Sequence, residues 1–266
     1  MTASPPDESQ ITAKKATLVE HLRELRKKLL YSALALILTF SISYFFVEEI
    51  YQFLVAPLAG IYPDATGKRL IYTGLTEVFF TYMKLAFYTG AMLAFPFIAL
   101  QFYSFLAPGL YRKEKKVLIP YLMASPMLFV AGAAMAYYGI FPVAWKFFAS
   151  FETLGDHSSM PIALETRVSE YLGLVMSLIM GFGLAFQLPV VITLLARAGF
   201  ISSRTLTSKR RYAIVGIFIL AAILTPPDVI SQIGLALPLL VLYEGSIIAV
   251  KLIEKRRLPS FESCTT

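Results

Sequence analysis

Apolar residues fall into six long blocks separated by polar stretches rich in Pro, Gly and basic residues. The first block, Leu29 to Val47, has 19 residues without a charge. A helix rising 1.5 Å per residue needs about 20 residues to cross a hydrocarbon core. A signal-peptide core would be shorter and would precede a small-residue cleavage site, so this block is expected to stay in place as a span. Five more follow: about Val78–Tyr103, Val117–Ile140, Val168–Leu195, Tyr212–Leu224 (13 residues) and Val229 to about Val250. Upstream, Thr17-Leu18-Val19-Glu20 reads as a capping box. Leu18, Leu22, Leu25 and Leu29 then recur at helical spacing, which predicts an amphipathic helix along the membrane surface leading into the first span. Residues 48–77 and 141–167 read as polar loops. Thr225-Pro226-Pro227-Asp228 reads as a hairpin in which two prolines stop one helix and Asp228 caps the next.

The pattern predicts an all-α polytopic membrane protein of six transmembrane helices, with the last two spans short. Residues 1–16 are expected to be a disordered tail, 17–250 the membrane domain and 251–266 a basic tail. No internal repeat is visible. Two adjacent short spans should thin the bilayer locally and offer a wall to a single-span partner.

Composition agrees with the pattern. The chain is 57% hydrophobic and 15% charged, with a mean hydropathy of +0.68, whereas soluble domains run about 45–50% and 25%. Its 14% aromatic content excludes disorder. The single cysteine, Cys264, allows no intrachain disulfide and no thiolate zinc set. His21 and His157 are predicted on opposite sides of the membrane. The chain has no HExxH motif, no aspartate within a span and no Gly-rich phosphate loop. No enzymatic activity, metal or cofactor is therefore expected.

The net charge of +7 would suggest nucleic acid in a soluble protein, but here its placement decides. Nineteen of the 24 Lys and Arg lie in the N-terminal segment, residues 107–116, 196–211 and 251–266, and four on the other side. Both termini are thereby predicted to be cytoplasmic, and no nucleic-acid partner is expected.

Charged or polar groups inside spans are costly and stand out as functional candidates. Lys84 lies near a helix end, where it can snorkel. Glu244 lies six residues from the end of the last span, either as a solvated helix end or as a polar patch facing a partner. Gln187 sits deeper; such an amide often bonds a neighbouring helix for roughly 0.6–2 kcal/mol. Two cytoplasmic acids stand in basic surroundings: Glu24 among Arg23, Arg26, Lys27 and Lys28, and Glu114 among Arg112, Lys113, Lys115 and Lys116. Charge pattern alone reads both as local ion pairs along a helix, each worth about 0.2–0.5 kcal/mol.

The stretch His21-Leu22-Arg23-Glu24-Leu25-Arg26-Lys27-Lys28-Leu29 resembles the N-terminal signature of the TatC family, the polytopic subunit of the twin-arginine protein translocase. Ala56-Pro57-Leu58, Phe105-Leu106-Ala107-Pro108-Gly109-Leu110-Tyr111 and Ala136-Tyr137-Tyr138 with Phe141-Pro142 are similar to further family blocks. So are Phe182-Gly183 with Phe186-Gln187-Leu188-Pro189, and Leu224-Thr225-Pro226-Pro227-Asp228-Val229-Ile230-Ser231-Gln232. The resemblance covers residues 17–250. It implies a receptor for signal peptides bearing consecutive arginines, in a bacterial plasma membrane. With single-span TatA- and TatB-type partners, and as a homo-oligomer within a larger complex, it would export folded proteins on the proton-motive force.

Carried over, the resemblance implies signal binding by Glu24 and Glu114, with Leu25, Arg26 and Phe105 beside them. It gives Pro57 and Asp228 outer-loop roles, and makes Gln187, Glu244 and Gln232 intramembrane polar contacts for a partner. Many relatives carry Glu where this chain has Gln187, so the family's intramembrane acid is a neutral amide here. Physical reasoning agrees with a receptor: consecutive residues of an extended peptide point to opposite sides, so two arginines need two acids on separate segments. Charged Arg–carboxylate bonds contribute about 1.5–3 kcal/mol each. A small-solute secondary transporter and a structural membrane scaffold are the alternatives; the transporter should show repeats and broken helices at the midplane.

Overall fold

The computed structural model describes residues 8–62, 69–106, 115–153, 164–225 and 228–257, and they are almost entirely helical. In chain order the helices are α1 (Glu8–Phe45), α2 (Val47–Ala59), α3 (Glu77–Leu106), α4 (Lys115–Ala134), α5 (Phe141–Ala149), α6 (Val168–Ala185), α7 (Leu188–Arg197), α8 (Ser203–Ser208), α9 (Arg210–Leu224) and α10 (Val229–Arg257). A π-helical turn, Met135–Ile140, joins α4 to α5. Among the described residues, five segments are long and apolar enough to cross a membrane: Leu22–Phe45, Glu77–Tyr103, Pro120–Ala149, Val168–Arg197 and Val229–Lys255.

Several boundaries differ from those the sequence predicts. The first helix begins at Glu8, so Thr17–Glu20 lies inside it and does not open it. With no Pro or Gly over its 38 residues, α1 has no kink at which to turn onto the membrane surface. It runs on for roughly 57 Å, carrying the basic N-terminal segment along the axis of the first span. Residues 47–59, expected as loop, form an amphipathic helix whose Val47 and Leu54 are buried. The third span does not stop at Ile140. Pro142 has no N–H for the carbonyl four residues back, and a wider turn carries the helix past it, with Phe141 N–H donating to Ala136 O.

Pro189 breaks the fourth span in the same way: α6 ends at Ala185, and α7 restarts at Leu188 with the proline in its first turn. The fifth predicted span is α9, short at 15 residues. The sixth runs 29 residues to Arg257, so shortness is confined to the stretch the two share. Gln232 Nε2 donates to Phe218 O at 3.4 Å and Arg210 pairs with Glu244 at 2.7 Å, which matches α9 against Val229–Glu244 as an antiparallel hairpin.

The broken α6–α7 segment forms the centre, with 67% of its apolar window buried; α1 is peripheral at 6%. Leu172, Val175 and Phe182 of α6 are fully buried. Small residues set the crossings. A Cβ on Gly132 would lie 2.5 Å from Phe182 O, and one on Gly90 would lie 2.8 Å from the Phe40 backbone. Without those atoms α4 meets α6 and α3 meets α1 backbone to backbone, and Thr39 Oγ1 donates to Gly90 O at 2.8 Å. The bundle thus has a basic end, holding the start of α1, Arg197, Arg210 and the end of α10. Its opposite, capped end carries α2, α5 and the α3 and α6 starts.

Candidate functional site

At the basic end Glu24 is exposed and forms no hydrogen bond or ion pair among the described residues. The local pairing with Lys27 or Lys28 that charge pattern suggests is not made. Arg23, Arg26 and Lys27 are exposed around it and Leu25 is half-buried. The result is a carboxylate with its full acceptor capacity unspent inside a positive field. Glu114 lies outside the described residues, as does the Phe105 side chain. The helices flanking that segment end at Leu106 and begin at Lys115. Tyr51 of α2, which follows α1, meets Tyr82 near the start of α3 with ring centroids 5.8 Å apart, so α3 runs antiparallel to α1 and Leu106 lies at the end at which α1 starts.

Gln187 sits at the α6–α7 break, 8% exposed. Ser125 Oγ donates to its Oε1 at 2.5 Å, and its Nε2 donates to Ser125 O at 3.0 Å. Both functional groups of the amide are therefore spent on α4. The amide clamps the break to the neighbouring helix and presents nothing polar to the bilayer. Glu244 is half-exposed and paired with Arg210 at 2.7 Å. Gln232 is half-buried and bonded to α9, and Asp228 Oδ1 accepts the Ser231 N–H at 2.6 Å, capping α10. Beside Glu244, Tyr243 Oη donates to Leu206 O at 2.9 Å, and Glu254 accepts the Ser203 N–H at 2.9 Å, so α10 holds the six-residue α8 at two points.

The capped end shows what Pro57 does. Inside α2 it supplies no N–H for Phe53 O, four residues back. Tyr137 Oη, from the π-helical turn, donates to that oxygen at 2.7 Å, and its ring stacks on Phe53 with centroids 4.4 Å apart. Tyr171 Oη of α6 donates to the next carbonyl, Leu54 O, at 2.8 Å. Nearby, Glu77 accepts from the Thr73 N–H at 2.9 Å, the Gly74 N–H at 3.2 Å and Ser169 Oγ at 2.5 Å. A parallel bridge between Ile71 and Arg167 adds two backbone bonds, Ile71 N to Thr166 O at 3.1 Å and Val168 N to Ile71 O at 2.9 Å. Arg167 also bonds Thr73 and pairs with Glu170 at 3.2 Å.

Sequence reasoning marked Pro57, Gln187 and Glu244 and missed their partners Tyr137, Ser125 and Arg210. One signal was available: a proline inside a helix orphans a carbonyl that something else must satisfy.

Residues 20–238 match the family model described as "Sec-independent protein translocase protein (TatC)". The chain is 50% identical over 238 residues to the Sec-independent protein translocase protein TatC of Rickettsia prowazekii, covering 90% of this chain and 94% of that one. With the Escherichia coli K12 protein of the same name it shares 40% over 227 residues, 85% of each chain. A crystal structure of the twin-arginine translocase receptor TatC is similar, with a TM-score of 0.72 at 37% identity, covering 88% of this chain and 99% of that one. A second such structure, in the detergent DDM, gives 0.74 at 37% identity over 86% and 98%.

Proposed function

The chain belongs to the TatC family of Sec-independent protein translocase proteins, and on that premise we propose that it is the signal-peptide receptor of a twin-arginine translocase. It works with TatA- and TatB-type single-span partners and exports folded proteins on the proton-motive force. The basic end faces the cytoplasm of a bacterial plasma membrane, as the placement of Lys and Arg supports.

The observation that carries the receptor reading is Glu24, an exposed carboxylate in a basic surround with no partner among the described residues. That surround repels a cationic peptide at large, so only one that places a guanidinium on the acid gains enough to stay. Glu114, on the segment between α3 and α4, is the second acid for the second arginine. Gln232 and Glu244 lie on the α9–α10 hairpin, where a single-span partner would pack; the exposed apolar residues Val215 and Ile219 of α9 support that surface.

Binding of a twin-arginine peptide to the purified protein, compared with a twin-lysine peptide, tests the receptor reading. The arginine peptide should bind more tightly, and Glu24→Ala and Glu114→Ala should each erase most of the difference. Equal binding of the two peptides would overturn it. Orientation is tested separately by labelling single cysteines from outside in a Cys264→Ser background; reaction within residues 107–116 would reverse the assignment.

A further inference from the structure

A cleft of about 230 Å³ lies between α4 and α7 toward the basic end. Its walls are one face of each helix: Tyr121, Ala124 and Leu128 from α4, and Val190, Thr193 and Arg197 from α7. Residues four apart on a helix stand one above another, so the two faces run as parallel ridges with a groove between them. From Pro120 to Leu128 the groove is roughly 12 Å long. Ala124 leaves it open at mid-height, and Pro189, the residue that breaks the fourth span, lines it as well.

The polar inventory of this groove is lopsided. The Thr193 hydroxyl donates to Pro189 O at 2.6 Å and to Val190 O at 3.1 Å, so it is satisfied by its own helix and adds nothing to the wall. Arg197, in the last turn of α7, supplies a cation at the basic end, its guanidinium 5.4 Å from the centroid of the Tyr121 ring. Among the described residues the groove is thus apolar along its length with a cation at one end, and it lies between two membrane-spanning segments.

We propose that this groove binds one anionic phospholipid, with an acyl chain lying between α4 and α7 and the phosphate at Arg197. The shape excludes a free anion as the preferred ligand, since an anion alone would leave the apolar walls unfilled. The charge disfavours a twin-arginine peptide, which Arg197 would repel. Anionic lipids concentrate in the cytoplasmic leaflet, and basic pockets between transmembrane helices on that side suit their headgroups; this clause alone rests on the orientation proposed above. The seated chain would brace α7 against α4 from the lipid side, one residue from Ser125, whose bond to Gln187 ties the same two segments from within.

The test uses the full chain in phosphatidylcholine nanodiscs doped with a trace of phosphatidylglycerol or phosphatidylcholine carrying a photoreactive acyl chain, with adducts mapped by mass spectrometry. Phosphatidylglycerol should label the Ala124–Leu128 and Val190–Thr193 stretches in preference to phosphatidylcholine. Arg197→Gln should cut that labelling about fivefold, the weight of one basic residue at an anionic surface, Arg197→Lys should largely retain it, and Ala124→Trp should block the groove to both lipids. Excess inorganic phosphate should not compete. Equal labelling by the two lipids, insensitivity to Ala124→Trp, or full competition by phosphate would each overturn the proposal. If Arg197→Gln fails to fold, the lipid preference of the unmodified chain decides alone. Nanodiscs expose both leaflets and contain no signal peptide, so a negative result here leaves the receptor and orientation readings standing.

Discussion

At the capped end the oxygen acceptors that tie α2, α3 and α6 together are occupied by other parts of the fold. Phe53 O is held by Tyr137, Leu54 O by Tyr171, and Glu77 by Thr73, Gly74 and Ser169. At the basic end of α1 the opposite holds: Glu24 is exposed and bonded to nothing among the described residues. The two ends use the same chemistry, oxygen acceptors near a membrane edge, for different purposes. Acceptors satisfied within the chain fix geometry, and replacing them costs stability. An unsatisfied carboxylate fixes nothing, so replacing it should cost binding alone. Gln187 belongs with the first group, in line with the reading of its amide as a bond to a neighbouring helix.

The largest effect should come from reversing the free acid. Glu24→Lys removes a charge-assisted bond worth about 1.5–3 kcal/mol and adds repulsion, so twin-arginine peptide affinity should fall by more than about tenfold. The melting temperature should barely move, since a surface substitution away from packing or buried bonds stays within about 0.5 kcal/mol. A large loss of stability would place Glu24 with the capped-end groups.

Next, Tyr137→Phe orphans Phe53 O and should lower stability by about 1–3 kcal/mol, with faster hydrogen exchange in α2. Pro57→Ala restores an N–H to that carbonyl, so in the Tyr137→Phe background it should recover part of the loss. A double-mutant cycle showing simple additivity would dissolve the link between proline and tyrosine. Ser125→Ala strands one face of the Gln187 amide and should cost roughly 0.6–2 kcal/mol without changing peptide affinity; a change in affinity with no change in stability would return Gln187 to the functional group. The smallest effect is expected at Glu244→Gln, because its pair with Arg210 is half-exposed and such pairs contribute under about 1 kcal/mol.

What the sequence determined by itself is what a membrane demands of any chain. Apolar blocks near 20 residues, prolines at the ends or breaks of helices, and basic residues gathered beside particular blocks follow from local composition and the cost of polar groups in hydrocarbon. These made the spans legible and put Glu24 and Glu114 forward as candidate acids. The sequence did not reveal that α1 runs unbroken from Glu8, that residues 47–59 form a helix, or that the helix continues past Pro142. The helix over residues 47–59 depends on a partner distant in the chain, Tyr137, which stands in for an N–H that Pro57 lacks, 80 residues away in sequence.

Tertiary structure alone decided which polar residues were spent and which were free. Gln187 is bound to Ser125 across 62 residues of chain, and Glu244 to Arg210 across 34. Glu24 has four cations within four residues and, among the described residues, pairs with none of them. Adjacency in sequence sets which charges are near one another, but an ion pair forms only where fixing two side chains costs less than the bond returns. In open water beside a helix that balance is close to zero.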